Sequence, residues 1–317
     1  MRILVTPTSL QPGKNDQMID RLKEFSEDLV FNNTGRPLTA AELNVLLRDC
    51  DGFIAGLDEV TEEALEGCDR LKVISRYGSG VDSVDLAAAR RRGIVVTNTP
   101  GVNAEAVGEL TFGLILGVAR RIPYLDETTR DGGWVRSTGM ELYRKTIGIV
   151  GLGAIGRVVA RCAGGFGMNV LAYDPYIDEE YCEQNKIYST SFEDLIRRSD
   201  VITLHLPLLP STQHMINADV FAMMKKGAVV VNASRGGIID EDAAYEALKS
   251  KKIAGLGLDA FEQEPPGGSK LFEFNTVVAT PHTGAHTNEA KDKMADLAIR
   301  NLEDVLEGKE CRYIVNR

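Results

Sequence analysis

The stretch TIGIVGLGAIGR (Thr146 to Arg157) carries an apolar run straight into a glycine turn, Gly151-Leu152-Gly153-Ala154-Ile155-Gly156, and then into helix-forming residues. Glycines at this spacing between strand and helix have separate jobs. The first makes the tight turn, the second lets backbone approach a pyrophosphate, and the third lets the helix pack on the strand. The helix start offers unpaired amide N–H groups and partial positive charge to phosphates. Gly151, Gly153, Ala154, Ile155 and Gly156 are therefore candidate dinucleotide contacts. The next apolar run, Val170 to Tyr173, ends at Asp174, a carboxylate suited to accept hydrogen bonds from both hydroxyls of an adenosine ribose. A 2'-phosphate would meet that charge, and Pro175 and Tyr176 after it supply no adjacent cation. NAD is expected over NADP.

Outward from this stretch, short Val-, Ile- and Leu-rich runs alternate with helical segments along the whole chain, the pattern of βαβ units and mostly parallel sheets. The expected strands are Arg2 to Pro7, Gly52 to Gly56, Val73 to Arg76 and Val95 to Asn98, then a second set. That set comprises Ile147 to Val150, Val170 to Tyr173, Val201 to Leu206, Val229 to Ala233, Ala254 to Asp259 and Val277 to Thr280. Many are apolar throughout, as in sheets covered on both faces. Helix starts are expected at Thr61 (before Glu62 and Glu63), Ser191 and Asp240, where a side-chain oxygen and negative charge meet exposed amides. Asn103 to Arg120 reads as a long apolar helix that must be buried between lobes or against another subunit, so a homodimer through this region is expected. A final helix, about Thr287 to Leu306, has one packing face. The fold class is α/β, with two doubly wound lobes and turns near Thr99 and Thr287 as the boundaries.

At about 150 residues per domain, 317 residues agree with two domains. Lys and Arg number 36 against 46 Asp and Glu, a net charge of −10, which disfavours binding to a phosphate backbone, so no nucleic-acid partner is expected. The cysteines Cys50, Cys68, Cys162, Cys182 and Cys311 form no C-x-x-C pair, which fits a reducing, cytoplasmic setting without a zinc site. The longest apolar run, Leu110 to Ala119, falls far short of the ~20 residues that span a bilayer. No membrane association is expected.

Three loops, each directly after an expected strand of the second set, carry polar side chains that a plain turn does not need. They are Ser234-Arg235-Gly236-Gly237, Glu262-Gln263-Glu264-Pro265-Pro266 and Pro281-His282-Thr283-Gly284. In an open parallel sheet the carboxyl ends of the strands form the ligand crevice, so Arg235, Glu264 and His282 are expected to converge near a bound nucleotide. The remaining histidines, His205, His214 and His286, lack the spacing of a metal site.

With these motifs assembled, the chain from about Arg76 to Ala290 resembles the D-isomer-specific 2-hydroxyacid dehydrogenases, particularly their phosphoglycerate dehydrogenase-like branch. The matching segments are RYGSGVDSVDL (Arg76 to Leu86), NTPG (Asn98 to Gly101), GLGAIG, Asp174-Pro175, HLPLLPST (His205 to Thr212), VVNASRGGIIDE (Val230 to Glu241), EQEPP and PHTGA. The resemblance implies a discontinuous substrate domain, residues 1–98 plus 288–317, with an NAD-binding Rossmann domain, residues 99–287, inserted into it. It also implies hydride transfer between NAD(H) and a small D-2-hydroxy or 2-keto acid. His282 would be the acid and base, Glu264 its carboxylate partner, and Arg235 the fork of donors for the substrate carboxylate. His205, Pro207, Thr212, Ala233, Ser234 and Asp259 would join the cofactor site. Arg76, Tyr77, Gly78, Ser79 and Gly80 would bind substrate, with backbone amides of the glycine-rich turn completing a carboxylate cradle. His286, where relatives commonly carry a smaller residue, is expected to cap the final helix.

Phosphoglycerate dehydrogenases place arginines in the first lobe to hold the substrate phosphate. Arg76 matches one, but the loop Ala55-Gly56-Leu57-Asp58-Glu59 supplies no cation and two anions. The chain stops at Arg317, so the C-terminal regulatory domain of many such enzymes is expected to be absent. The substrate candidates are 3-phosphoglycerate, hydroxypyruvate, glyoxylate or another short keto acid. A different class of reading is a non-catalytic NAD(H)-sensing protein of the corepressor type.

Overall fold

The computed structural model describes all 317 residues, and contacts divide them into two compact units, Met1–Asn103 with His286–Arg317, and Ala104–Ala285. The first unit is built from β1 (Arg2–Val5), α1 (Asp16–Phe25), β2 (Asp28–Phe31), α2 (Ala40–Leu47), β3 (Gly52–Ala55), β4 (Val73–Arg76), α3 (Leu86–Arg91) and β5 (Val95–Thr97). Its five-stranded parallel sheet has the order β2-β1-β3-β4-β5. Ile3, Leu4, Val5, Phe53, Ile54 and Ile74 are all shut off from solvent, as strands apolar on both faces require. The chain's last helix returns to this unit, where the Ser75 hydroxyl donates to the Ala298 carbonyl at 2.7 Å.

The second unit opens with α4 (Ala104–Arg120) and α5 (Ile122–Arg130). There follow β6 (Thr146–Val150), α6 (Ala154–Gly165), β7 (Asn169–Tyr173), α7 (Glu179–Gln184), β8 (Ile187–Ser189), α8 (Phe192–Arg198), β9 (Val201–Leu204), α9 (Ala218–Met223), β10 (Ala228–Asn232), α10 (Glu241–Lys249), β11 (Ile253–Leu258) and β12 (Val277–Ala279). The seven parallel strands run β12-β11-β10-β9-β6-β7-β8. Strand order reverses at β6, which has β9 on one side and β7 on the other, and the glycine turn leaves the sheet at this switch point. The final helix, in the first unit, is α11 (Asn288–Leu306).

Edge strands β2 and β8 were not among the expected strands: β8 has no apolar run, and the run in β2 is only Leu29-Val30-Phe31, half-buried between polar residues. Ser191 and Asp240 cap α8 and α10 as expected, accepting from the amides of Asp194 and Ala243. Thr61 does not start a helix. Its hydroxyl accepts from the Ala64 amide, but the chain goes on in turns that bury Ala64, Leu65 and Cys68.

Helix α4 is buried inside its own unit: Gly108 lies where a Cβ would come 2.4 Å from Val158 of α6, and Gly117 faces Val278 of β12. That packing accounts for its greasiness without a second subunit. No helix is long and apolar enough to cross a membrane.

Candidate active site

The three glycines of the β6–α6 turn are held by three different constraints. Gly151 has φ of +96°, and a Cβ there would stand 2.4 Å from the His205 carbonyl. At Gly156 a Cβ would stand 2.1 Å from the Gly151 carbonyl, so α6 can start this close to β6 only with glycine. Gly153 is the opposite case, because nothing lies within 4 Å of its Cβ position. It is the N-cap of α6 yet contributes no capping side chain, and Gly153 and Ala154 are exposed. The first amides of the 12-residue helix α6 thus face open space over a residue without a side chain. This donor set, with no Cβ in the way, fits a pyrophosphate.

Asp174 sits one residue past β7, where its carboxylate accepts from the Leu152 amide at 2.8 Å and the Tyr176 amide at 2.9 Å. Each oxygen keeps a lone pair for a ribose hydroxyl. An adjoining cleft of about 190 Å³ is lined by Ala172, Asp174, Ile177, Glu179, Ser189 and Thr190. On the other side of the turn, Thr203 Oγ1 lies 2.9 Å from His205 Nε2, and His205 Nδ1 is buried with no partner. Burial drives the His205 pKa down to about 3, so this imidazole is neutral. An orphaned nitrogen beside the glycine turn is a further sign that a polar group belongs here. Thr212 closes the H-x-P loop, donating to the Pro207 carbonyl at 2.7 Å and accepting from the Leu209 amide at 2.8 Å.

Arg235, Glu264 and His282 emerge beyond the carboxyl ends of the neighbouring strands β10, β11 and β12. Asn232, the last residue of β10 and 1% exposed, shapes the Arg235 turn. Its Oδ1 accepts from the Ser234 amide at 3.0 Å and hydroxyl at 2.7 Å, while its Nδ2 donates to the Arg235 carbonyl at 2.6 Å. Ala233 and Ser234 are buried beneath this turn. At Gly236 a Cβ would come 1.8 Å from the Phe261 carbonyl, so the Arg235 turn and the loop leading to Glu264 touch backbone to backbone.

His282 Nδ1 lies 2.8 Å and 3.0 Å from the two carboxylate oxygens of Glu264, which leaves Nε2 pointing elsewhere for proton exchange. Burial would raise the Glu264 pKa, but the bond and charge of His282, the Phe261 amide and the Arg235 charge together hold it below its ordinary value. With a third of each side chain in solvent, the pair adds at most about 1 kcal/mol to stability. Its chief effect is to orient the imidazole.

The backbone of His282 is left-handed, φ 51°, which costs about 1–2 kcal/mol. Asp259, 2% exposed one residue past β11, outweighs that cost. It accepts from the Thr280 hydroxyl at 2.6 Å and from the Thr283 and Gly284 amides at 2.8 Å each, charge-assisted bonds of about 1.5–3 kcal/mol apiece. In this geometry Asp259 locks the His282 loop.

In the first unit Arg76 is 6% exposed, with Nη1 donating to the Ala55 carbonyl at 3.3 Å and to the Tyr77 carbonyl, beneath Gly78 at φ +144°. Through Nη1 this arginine holds up the glycine loop. Tyr77 donates its hydroxyl to the Lys291 carbonyl, and burial pushes its pKa up to about 12. The Gly78 amide is taken by Thr99 Oγ1, and the Ser79 hydroxyl donates to the Thr99 carbonyl. Gly80 follows in the same turn. His286 is not the expected cap of α11, because Thr287 Oγ1 accepts from the Ala290 amide and does that work. The segment between His282 and His286 is not helical, so they share no helix face. His214, 45% exposed, pairs with Glu262 at 3.1 Å.

Sequence reasoning missed Asn232 and Arg157. A polar residue closing an all-apolar strand and followed two positions later by serine was the available signal for Asn232. Nothing in the linear sequence links Arg157 to the Asp174 corner, yet its Nε donates at 3.3 Å to the carbonyl of Leu152, the residue whose amide binds Asp174.

Glycine turn, acidic residue and loop cluster at the switch point define the second unit as a nucleotide-binding unit of the doubly wound class. A family model for the D-isomer specific 2-hydroxyacid dehydrogenase NAD binding domain matches residues 112–284, and the chain belongs to that family. It is 43% identical to a D-3-phosphoglycerate dehydrogenase of Methanocaldococcus jannaschii over 88% of this chain and 54% of that protein. A glyoxylate reductase of Thermofilum pendens is 39% identical over 100% of this chain and 94% of that protein. The structure of a D-lactate dehydrogenase from Aquifex aeolicus, complexed with NAD and lactic acid, superposes with a TM-score of 0.88 at 28% identity, covering 100% of this chain and 99% of that one. The chain spans about half the length of the phosphoglycerate dehydrogenases it matches.

Proposed function

We propose that this chain is an NAD-dependent dehydrogenase that moves a hydride between NAD(H) and C2 of a small D-2-hydroxy or 2-keto acid. The observation that carries the proposal is the His282–Glu264 pair, beside the Arg235 turn at the crevice edge of a dinucleotide-type sheet. When bound, the nicotinamide supplies or accepts the hydride. His282 Nε2 takes the hydroxyl proton in oxidation and returns it in reduction, while Nδ1 stays on Glu264. Glu264, held below its ordinary pKa, is charged at neutral pH and balances the imidazolium. Arg235 presents a planar fork to the substrate carboxylate and the neighbouring oxygen. Asp174 selects NAD by its charge. His205, Pro207, Thr212, Ala233 and Ser234 line the cofactor side, and Asp259 holds the His282 loop in place. In the first unit the amides of Ser79 and Gly80 are the donors offered to substrate.

The loop after β3 favours an unphosphorylated substrate such as glyoxylate or hydroxypyruvate over 3-phosphoglycerate. Asp58 there is 1% exposed and accepts from the Leu38 and Gly56 amides and the Thr6 hydroxyl, while exposed Leu57 and Glu59 offer a phosphate nothing. The five cysteines are free thiols, consistent with a cytoplasmic location. A homodimer belongs to the proposal. With α4 buried in its own unit, apolar surface near it that a partner could cover lies on α5 and the segment after it, where Ile122, Trp134, Val135 and Tyr143 are 52%, 80%, 48% and 60% exposed.

The test is reduction of glyoxylate, hydroxypyruvate, pyruvate and 3-phosphohydroxypyruvate with NADH and with NADPH. Turnover of a short keto acid with NADH supports the proposal. Tight NADH binding without turnover of any of them would instead make the chain an NAD(H)-sensing binder.

A further inference from the structure

Arg157, on the first turn of α6, is held from three sides. Its Nε donates to the Leu152 carbonyl at 3.3 Å, its Nη2 to Asp178 Oδ2 at 2.9 Å, and its guanidinium carbon lies 3.9 Å from the centroid of the Tyr181 ring. The peptide units flanking Leu152 connect this guanidinium to Asp174, because the Leu152 amide donates to Asp174 Oδ2 at 2.8 Å. One residue, Leu152, thus carries the guanidinium on its carbonyl and the ribose-facing carboxylate on its amide, and the guanidinium is already paired with a second carboxylate, Asp178. Neither lysine nor arginine lines the adjoining cleft, where Glu179 adds another negative charge while accepting from the Ser189 hydroxyl at 2.8 Å.

We infer that Asp178 is a second determinant of cofactor selectivity, acting through Arg157: it withholds from a 2'-phosphate the guanidinium held on the Leu152 carbonyl. The inference rests on the dinucleotide reading of the glycine turn. Asp174 repels a 2'-phosphate directly, whereas Asp178 works as a positioning residue that ties up the guanidinium. A phosphate dianion needs a charge-assisted fork of donors to replace its water. With Asp174 neutral but Asp178 intact, the corner still holds two carboxylates against one guanidinium. With both neutral, Arg157 balances Glu179 and is released toward the phosphate. The Arg157–Asp178 pair is more than a third exposed on both sides, so breaking it leaves the fold intact. Asparagine at 178 preserves the N-cap of α7, where Asp178 Oδ1 accepts from the Tyr181 amide at 3.0 Å, because Asn and Asp cap equally well.

The experiment measures Kd for NADH and NADPH by fluorescence titration on the full chain carrying Asp178→Asn, Asp174→Ser, both, and both with Arg157→Ala, with thermal melts alongside. Adding Asp178→Asn to Asp174→Ser should tighten NADPH by about tenfold, change NADH by less than about threefold, and do so less in high salt. The gain should vanish with Arg157→Ala. The single Asp178→Asn variant should shift the NADPH-to-NADH ratio in the same direction, so the inference remains testable if the double variant fails to fold. NADPH affinity indifferent to the Asp178 charge, or a gain that survives loss of Arg157, overturns the inference while leaving NADH binding and the proposed function standing. Failure of the unaltered chain to bind NADH removes the dinucleotide reading and this inference with it.

Discussion

Gly153→Ala should separate binding from folding. An added Cβ at 153 meets nothing within 4 Å, and the backbone there, φ −73° and ψ −160°, suits any L-residue. The fold loses only the better N-cap, about 0.5–1 kcal/mol. The same methyl occupies the space through which a pyrophosphate must reach the α6 amides. Forcing a methyl into a filled site costs about 1–3 kcal/mol, and a cost of about 2 kcal/mol weakens Kd by ~30-fold. Gly156→Ala is the contrasting control: its Cβ would lie 2.1 Å from the Gly151 carbonyl oxygen, where a carbon–oxygen contact needs about 3.3 Å. The first turn of α6 must then shift by roughly 1 Å, at a cost to stability of about 1–3 kcal/mol or more. NADH titration and urea denaturation of both variants provide the assay. Gly153→Ala binding NADH as tightly as the unaltered chain, or Gly156→Ala unfolding at the unaltered midpoint, refutes the roles given to these glycines.

Three further outcomes are expected. His205 titrates at about 3 when folded against an ordinary 6.5, so the unfolded chain takes up the proton first and stability falls as pH drops below 6.5. The loss from this group between pH 7 and 5 is about 2 kcal/mol, and His205→Asn should remove it in urea titrations at the two pH values. Glu264→Gln keeps an acceptor for His282 Nδ1 but loses the charge. We expect kcat to fall by about 10–100-fold with a stability change under about 1 kcal/mol, read from steady-state rates and melts. In the unaltered chain the lowered pKa of Glu264 means that its carboxylate stays charged through neutral pH and that its contribution is lost only below its ordinary 4.5, as pH falls through the folded value. Asn232→Ala removes three hydrogen bonds from the Arg235 turn, for about 2–3 kcal/mol of stability, and KM for the keto acid should rise while NADH affinity holds.

Central strands, the glycine turn and the capped helices α8 and α10 were legible because each depends on a short, local pattern. An apolar run flanked by turn residues, three glycines before a helix, or serine or aspartate ahead of acidic residues can be read in one pass. β8 was hidden because Ile187-Tyr188-Ser189 offers no apolar run, and β2 because its run is only the three residues Leu29-Val30-Phe31 between polar neighbours. Thr61 misled because a cap can begin a turn that tertiary packing never extends into a helix. The loops bearing Arg235, Glu264 and His282 followed from strand order and family resemblance, but what holds them did not. Asn232 under one turn and Asp259 under another act through contacts between neighbouring strand ends. Arg157 is the clearest case, since its link to Asp174 through Leu152 exists only after β6, α6 and β7 have assembled.

The most direct measurement follows deuterium from NADH labelled at nicotinamide C4 in the unaltered chain and in His282→Ala. The label should appear at C2 of a D-2-hydroxy acid, and the substitution should slow its transfer by about 10³-fold while leaving NADH affinity within about twofold. Deuterium absent from C2, an L product, or transfer at near-normal rate without the imidazole would contradict the assignment.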